Sequence, residues 1–280
     1  WVDMNDPYVT YKPKYMESVW WLLKQLWEKD LIYKGYTIQP YSPKAGTGLS
    51  SHELNMPGSY RDVKDTSAIA QFVVTKNEAF QALFGDLIQN EDLVYFLAWT
   101  TTPWTLPSNT ALTVGPKIDY QLIESFNPYT HLAQKVFIAK NLVGKYFKDE
   151  LKDADLSSYT EDGKNLPWRI VWEGKGSELI GLRYEQLLPW ATPNDGVENA
   201  FRVIGGDFVT TEDGTGIVHT APTFGADDAK VAKEAVPPVP PMLVLDGNEN
   251  LVPLVDLQGR FIQNSGPLSG KYVKNEYYAE

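Results

Sequence analysis

The chain has no cysteine among its 280 residues, which removes disulfides, thiol nucleophiles and thiolate metal sites together. Basic side chains are scarce: 25 Lys and Arg against 36 Asp and Glu leave a formal net charge of -11. So acidic a chain is a poor candidate for gripping long nucleic acid through phosphates alone, although it can accept the tip of an RNA held elsewhere. No apolar run is long enough to span a bilayer and no signal peptide opens the chain, so a soluble, cytoplasmic protein without membrane partners is expected. Only three histidines occur (His52, His131 and His219), far apart and outside any H-E-x-x-H pattern, so no metal site is expected. The G-x-S-x-G elbow, the P-loop and a complete G-x-G-x-x-G are missing too, which weakens serine hydrolase, nucleotidase and Rossmann readings.

What is present supports a sizeable core. Hydrophobic residues make up 43% of the chain and aromatic residues 13%, ordinary for a globular protein. Because Trp1-Val2-Asp3 has no initiator methionine before it, the chain reads as a segment of something longer.

Three regions are expected: 1–65, an N-terminal helix with a knuckle-like connection; 66–245, the main body; and 246–280, a returning connector. Pro13 to Asp30 has Val19, Leu22, Leu23, Leu26 and Trp27 at helical spacing behind a proline suited to a first turn. Ile38 to Pro57 is rich in Pro, Gly and Ser and reads as loop. From about Asp65, strands are expected at Ile69–Thr75, Val94–Thr100, Ala111–Val114, Tyr120–Glu124, Val136–Ala139, Trp168–Trp172, Phe201–Ile204 and Ile217–Thr220. Helices are expected after an Asn77 cap, carrying Phe80, Leu83, Phe84 and Leu87, and at Glu178–Leu187 and Asp227–Ala235. Lys148 to Asn165 is a polar insertion, and the prolines at 237, 238, 240 and 241 lead into an extended Met242–Leu245. Many short strands without strict strand–helix alternation favour an α+β fold: a curved, barrel-like mixed sheet with peripheral helices.

Two segments carry chemistry. Leu97 to Asn109 reads LAWTTTPWTLPSN, a row of hydroxyls at a strand end where two prolines stop ladder pairing. On a strand, Thr100 and Thr102 face one side and Thr101 the other, so one or two hydroxyls can orient a water or donate to an ester carbonyl. Threonine is equally a good strand residue, and Trp99 and Trp104 read as core aromatics. Gly214 to Asp228 reads GTGIVHTAPTFGADD. Alone, His219 reads as a satisfied core histidine, and Asp227 and Asp228 as carboxylates at a helix start. A Gly-Thr-Gly turn, a histidine and paired acids within fifteen residues make a functional site the sharper alternative.

Together these segments resemble the editing domain of the isoleucyl-tRNA synthetases, an insertion in the catalytic domain of those enzymes. The flanks, Trp1-Val-Asp, Glu17-Ser-Val-Trp-Trp21 and Gly266-Pro-Leu-Ser-Gly-Lys-Tyr-Val273, extend the resemblance over nearly the whole chain. It implies hydrolysis of valine misattached to the isoleucine tRNA, with valyl-adenylate as a second candidate substrate. The implied partners are the tRNA(Ile) 3′ end carrying valine and the catalytic domain of the same full-length chain. No cofactor is implied for this segment; ATP and Mg would serve the full-length ligase, and no HIGH-like or KMSKS-like segment for that chemistry is present here. Asp228 is implied to grip the α-ammonium and His219 to border the side-chain slot, with a role as general base left open. Trp99, Thr100, Thr101, Thr102, Trp104, Thr105 and Asn109 are implied to contact the ester, the terminal adenosine or the attacking water. The related valine and leucine enzymes carry T-T-R-P where this chain has Thr101-Thr102-Pro103-Trp104. A valine-enzyme domain acting on Thr-tRNA(Val) and a non-catalytic module docking the RNA 3′ end stand as alternatives. Where many such synthetases have zinc-binding YCPxCG, this chain has Tyr41-Ser-Pro-Lys-Ala-Gly46, without thiolates.

Overall fold

The computed structural model describes residues 3–5, 7–33, 38–161, 165–263 and 265–274. Trp1 and Val2, three positions of the polar insertion (162–164) and the end of the expected connector (275–280) therefore lie outside the described residues. The chain divides into two compact units, 1–37 and 38–280.

The first unit holds helix α1 (Pro13–Glu28), started by a proline at its first turn and supported by a Lys24–Glu28 pair one turn apart. Trp20, Trp21, Leu22 and Trp27 on this helix are exposed.

In the second unit, strands β1 (Tyr41–Ser42) and β2 (Thr47–Gly48) form a small hairpin, and Ser50 and Glu53 make a capping box for α2 (Ser51–Leu54). The knuckle is closed by hydrogen bonds: Ala45 N donates to Ser42 Oγ at 3.2 Å and Gly46 N to Ser42 O at 2.8 Å. A serine hydroxyl thus ties the turn.

The main sheet follows: β3 (Ala68–Val73), β4 (Val94–Thr100), β5 (Ala111–Val114), β6 (Asp119–Phe126), β7 (Ala133–Ala139), β8 (Arg169–Lys175), β9 (Arg202–Gly205) and β10 (Ile217–Thr220). Its order is β8-β6-β7-β4-β10-β5-β9, with β3 on the other side of β4. Pairings are mixed: β4 runs parallel to both β7 and β10, whereas β3–β4, β5–β10 and β6–β7 are antiparallel. One edge of β4 serves two strands in succession, β7 along Val94–Phe96 and β10 at Trp99, so the sheet must turn there. Helix α3 (Glu78–Phe84) is capped by Asn77, whose Oδ1 accepts from Phe80 N. It inserts Phe84 against Phe137 and Trp172, with Phe80 buried beside Phe84, whereas Leu83 and Leu87, expected on the same apolar face, are exposed.

The helix expected at Glu178–Leu187 does not form. Helix α4 covers only Gly176–Leu179, and Gly181 then turns the chain with φ +91°. Beyond it the backbone is extended: Tyr184 N donates to Phe201 O, and Gly181 N to Val203 O. On its other side Thr75 N donates to Arg183 O and Glu185 N to Val73 O. Pairing with two open strand edges prevailed over helical spacing, because each extended residue satisfies backbone groups on both sides. As a result a hydrogen-bonded circuit runs from β3 through β4, β10, β5 and β9 to residues 181–185 and back to β3. The α+β class with a curved, barrel-like mixed sheet is thereby realised. Helix α5 (Ala226–Glu234) and a separate ladder of β11 (Leu243–Leu245) and β12 (Leu251–Pro253) follow.

Candidate active site

Because β4 and β10 are parallel neighbours, with Val218 opposite Trp99, the chain leaves both strands at the same end of the sheet. The threonine row leaves β4 there, and the loop from Ala221 to Gly225 leaves β10 there. The rings of Trp104 and Phe224 meet edge-to-face at 5.0 Å, joining the two loops.

The turn after β4 is made by its own hydroxyls. Thr102 N donates to Thr100 Oγ1 at 3.0 Å, and the Thr100 and Thr102 hydroxyls lie 3.4 Å apart on one side, as strand alternation requires. Pro103 then starts a 3-10 turn through Ser108, which Thr105 braces by donating to Thr102 O at 2.8 Å. Thr100 is buried, whereas Thr101 and Thr102 are exposed. Among the described residues the Thr101 hydroxyl has no hydrogen-bond partner, so it is free for a ligand or a water.

Beneath this turn runs a buried polar chain. Tyr184 OH donates to Asn109 Oδ1 (2.6 Å), Asn109 Nδ2 lies 2.9 Å from His219 Nδ1, and His219 Nε2 lies 3.0 Å from Thr105 Oγ1. The Asn109 amide is oriented by a further bond from Nδ2 to Ala111 O at 2.8 Å. Its NH2 therefore faces His219, Nδ1 must accept, and Nε2 carries the proton donated to Thr105. Burial holds the His219 pKa down at about 4, so the imidazole is neutral at pH 7. With one nitrogen protonated and the lone pair of the other engaged, His219 has no free base site. In this arrangement the ring is held from both nitrogens, by Asn109 and Thr105.

Asp228, on the first turn of α5, does not cap its own helix. Its Oδ2 accepts from Ala221 N at 2.9 Å, the residue that follows β10, while Oδ1 has no partner among the described residues. Burial raises the Asp228 pKa, the bond from Ala221 N works against that, and Asp227 adds to the rise. This is a carboxylate incompletely compensated for lost hydration, a state that a cationic ligand relieves. Its neighbour Asp227 points elsewhere, lining a separate cavity of about 560 Å³ with Lys230, Glu234 and Phe208.

Trp99 is not part of this cluster. It alternates to the face opposite Thr100, and a Cβ on Gly214 would lie 3.0 Å from its ring, so it packs on the Gly-Thr-Gly turn. That turn has φ +73° at Gly214 and +74° at Gly216, and Thr215 Oγ1 donates to Leu97 O at 2.5 Å. Sequence reasoning missed Tyr184, which fell within the helix expected at Glu178–Leu187. It also missed the buried contact of the Thr113 and Thr220 hydroxyls at 2.6 Å, which no motif marks. Among the described residues no group of three or more His, Cys, Asp or Glu side chains can hold a metal ion, and no helix is long and apolar enough to cross a membrane.

The family model of class I tRNA synthetases (I, L, M and V) matches residues 1–105. Isoleucine–tRNA ligase of Cytophaga hutchinsonii is 54% identical over the whole of this chain. The chain belongs to the isoleucine–tRNA ligase family. The Bacteroides fragilis ligase is 56% identical over 99% of the chain and that of Clostridium tetani 43% over 98%. The chain spans about a quarter of the length of these ligases, 24% of the Cytophaga protein and 25% of the Bacteroides one. Among solved structures, the chain is similar to GlLeuRS-CP1 (18% identity, 60% of this chain and 59% of that one, TM-score 0.43). It is also similar to the cytosolic leucyl-tRNA synthetase editing domain of P. knowlesi (14% identity, 60% and 62%, TM-score 0.44).

Proposed function

We propose that this segment of an isoleucine–tRNA ligase edits: it hydrolyses valine esterified to tRNA(Ile), and valyl-adenylate as a second substrate. The observation that carries this reading is Asp228, a partly buried carboxylate with one oxygen unpartnered among the described residues, at the same sheet end as the exposed Thr101 and Thr102. An aminoacyl ester has one cation, its α-ammonium, about two bonds from the carbonyl to be attacked. Asp228 binds the first by a charge-assisted hydrogen bond, which places the second before the threonine turn.

The chemistry demands little, because the ester is already activated. A water oxygen bonds to the carbonyl carbon, the tetrahedral intermediate collapses, and the bond to the ribose oxygen breaks as that oxygen takes up a proton. Hydroxyls of Thr101 and Thr102 hold the water and donate to the developing oxyanion. His219 stays neutral, so the water's proton leaves through a hydroxyl of the terminal ribose or through solvent. Trp104, steadied by Phe224, offers a face to the terminal adenine.

Discrimination follows from rigid walls. One methylene is worth only ~1–3 kcal/mol in an apolar pocket, a general magnitude for which the isoleucine enzymes are themselves the usual illustration, so a second, hydrolytic sieve is needed. The sieve excludes isoleucine sterically, with His219 held from both ring nitrogens as one wall. The tRNA 3′ end and the ligase's own catalytic domain, where ATP and Mg act, are the partners this reading requires, in the cytoplasm.

The test is deacylation by the isolated chain of Val-tRNA(Ile), Ile-tRNA(Ile) and Thr-tRNA(Val). Hydrolysis of the first alone supports the proposal. Preference for Thr-tRNA(Val) would make this a valine-type editing site, and binding without hydrolysis a docking module.

A further inference from the structure

We infer that Tyr184 is a positioning residue for this site, fixing the tautomer of His219 through Asn109 and, through Thr105, the set of the threonine turn. The inference rests on the hydrolytic reading for its kinetic consequence, but its structural part stands without it.

The hydrogen bonds run in one direction. The Asn109 amide is oriented by Ala111 O, so Oδ1 is what faces Tyr184, and the phenol must donate. Asn109 then donates to His219 Nδ1, His219 Nε2–H donates to Thr105 Oγ1, and Thr105 gives its own proton to Thr102 O. Each group donates onward once and accepts once along this path, and such aligned chains strengthen one another in a low-dielectric interior. The phenol is the fixed end. Burial pushes the Tyr184 pKa well above its ordinary value, so the donor never loses its proton in the working range.

The residue's location explains why a phenol serves here. Tyr184 sits in the extended stretch that closes the strand circuit between β3 and β9, paired with Val74 on one side and bonded to Phe201 O on the other. Its ring is held by edge contacts with Phe72 at 5.3 Å and Phe201 at 6.3 Å. A donor so placed cannot follow the motions of the exposed loop at the other end of the chain. It transmits the rigidity of the closed sheet to Thr102, whose hydroxyl is exposed.

Were the hydroxyl lost, Asn109 Oδ1 would be a buried acceptor without a partner. The amide would be held by Ala111 O alone, and its contact with His219 Nδ1, which keeps the proton on Nε2, would loosen. A purely structural tyrosine predicts something else: lower stability, with the imidazole and the rate per folded molecule unchanged.

Tyr184→Phe keeps the ring and its contacts and removes only the donor. Three quantities decide: unfolding midpoint in urea, imidazole 15N shifts of His219, and single-turnover deacylation of Val-tRNA(Ile). The expected result is a folded variant whose His219 spectrum moves from a pure Nε2–H form towards a mixture. The maximal rate should fall roughly tenfold with half-saturation within twofold, as for loss of a bond that orders the reacting groups without touching the bound amino acid. Unchanged His219 shifts, or an unchanged rate per folded molecule, would overturn the inference. If the unaltered chain hydrolyses no aminoacyl-tRNA, the functional reading fails, and the spectrum alone still decides whether Tyr184 sets the tautomer. Should Tyr184→Phe not fold, Phe72→Leu, which removes an edge contact that holds the Tyr184 ring, puts the same question: the His219 spectrum should again move towards a mixture. A spectrum unaltered in that variant would count equally against it.

Discussion

Asn109 presents its NH2 to His219 Nδ1 at 2.9 Å, and this contact decides where the imidazole carries its proton. A histidine in a candidate hydrolytic site invites assignment as general base. Here the neighbouring amide has taken the lone pair that a base would need.

The pH–rate profile of deacylation follows from this. With the His219 pKa held at about 4 by burial, the ring does not titrate between pH 5 and 8. The maximal rate should therefore show no limb near pH 6.5, the midpoint of an ordinary histidine. A sigmoidal rise through that pH, abolished by His219→Gln, would restore the imidazole to the role of base.

The same depression makes stability depend on pH, with a definite sign. The unfolded chain protonates this histidine near 6.5 and the folded chain only near 4, so protons favour the unfolded state between those values. Stability from this group is complete above 6.5 and declines as the pH falls towards 4, by at most about 3 kcal/mol in all. Asp92 and Glu124 are pushed up by burial but brought lower, Asp92 by Lys135 and a bond from Gln89 N and Glu124 by Arg169 and Lys135, so acid reaches them only beneath the ordinary carboxylate range. Urea midpoints at pH 7.0, 6.0 and 5.0 (each within roughly 0.1 of the set value) for the chain and for His219→Gln give the comparison. The difference between the two curves should shrink as the pH drops, and parallel curves would contradict the assignment.

Much of this was legible in the sequence, and the limits have physical causes. Val94–Thr100, Ala111–Val114 and Ile217–Thr220 form strands with the expected ends, because apolar runs there stop at turn-forming residues. Asn77 announced its helix by its capping preference ahead of Phe80 and Phe84. Glu178–Leu187 misled because its spacing suits a helix, whereas the extended form satisfies two strand edges that lie far away in sequence. The same non-locality hid Tyr184: its partner Asn109 is 75 residues away, and no pattern of neighbours reveals it. Asp228 was legible as an acid opening a helix, but its bond to Ala221 N and its free oxygen needed coordinates.

Asp228→Asn tests the ammonium anchor with little change of shape. The amide cannot pair with a cation, so deacylation of Val-tRNA(Ile) should fall by a hundredfold or more, equivalent to about 3 kcal/mol of transition-state binding. Stability should not fall, since burial already disfavours the charge, and a small gain in urea midpoint is expected. Full activity in the folded variant would leave the carboxylate with no part in binding.

His219→Ala separates wall from reagent. Removing a buried ring leaves Asn109 and Thr105 each short of one partner, at about 1–3 kcal/mol in stability. It also opens the slot by several carbon volumes, so Ile-tRNA(Ile) should become a substrate while Val-tRNA(Ile) is still hydrolysed. The measured quantity is the ratio of the two deacylation rates. A ratio unchanged from that of the parent chain would place the steric gate elsewhere.

The Gly-Thr-Gly turn sets the height at which β10 enters the sheet, and Gly216 is its least replaceable residue. Its φ is +74°, and a Cβ there would stand 2.3 Å from the Ala139 Cβ, a contact that no rotamer can relieve because both atoms are fixed to backbone. Its carbonyl accepts from Tyr120 OH at 2.5 Å, and Thr215 O accepts from Ala139 N, so the turn cannot move aside without breaking bonds to β6 and β7. Gly216→Ala should therefore cost about 2 kcal/mol or more, combining left-handed strain with overpacking. Gly214→Ala meets the edge of the Trp99 ring at 3.0 Å, which can yield by a few tenths of an ångström, and should cost less. Urea unfolding of the two variants side by side checks the order. A Gly214→Ala variant less stable than Gly216→Ala would show that Trp99, rather than the contact with β7, holds the turn in place.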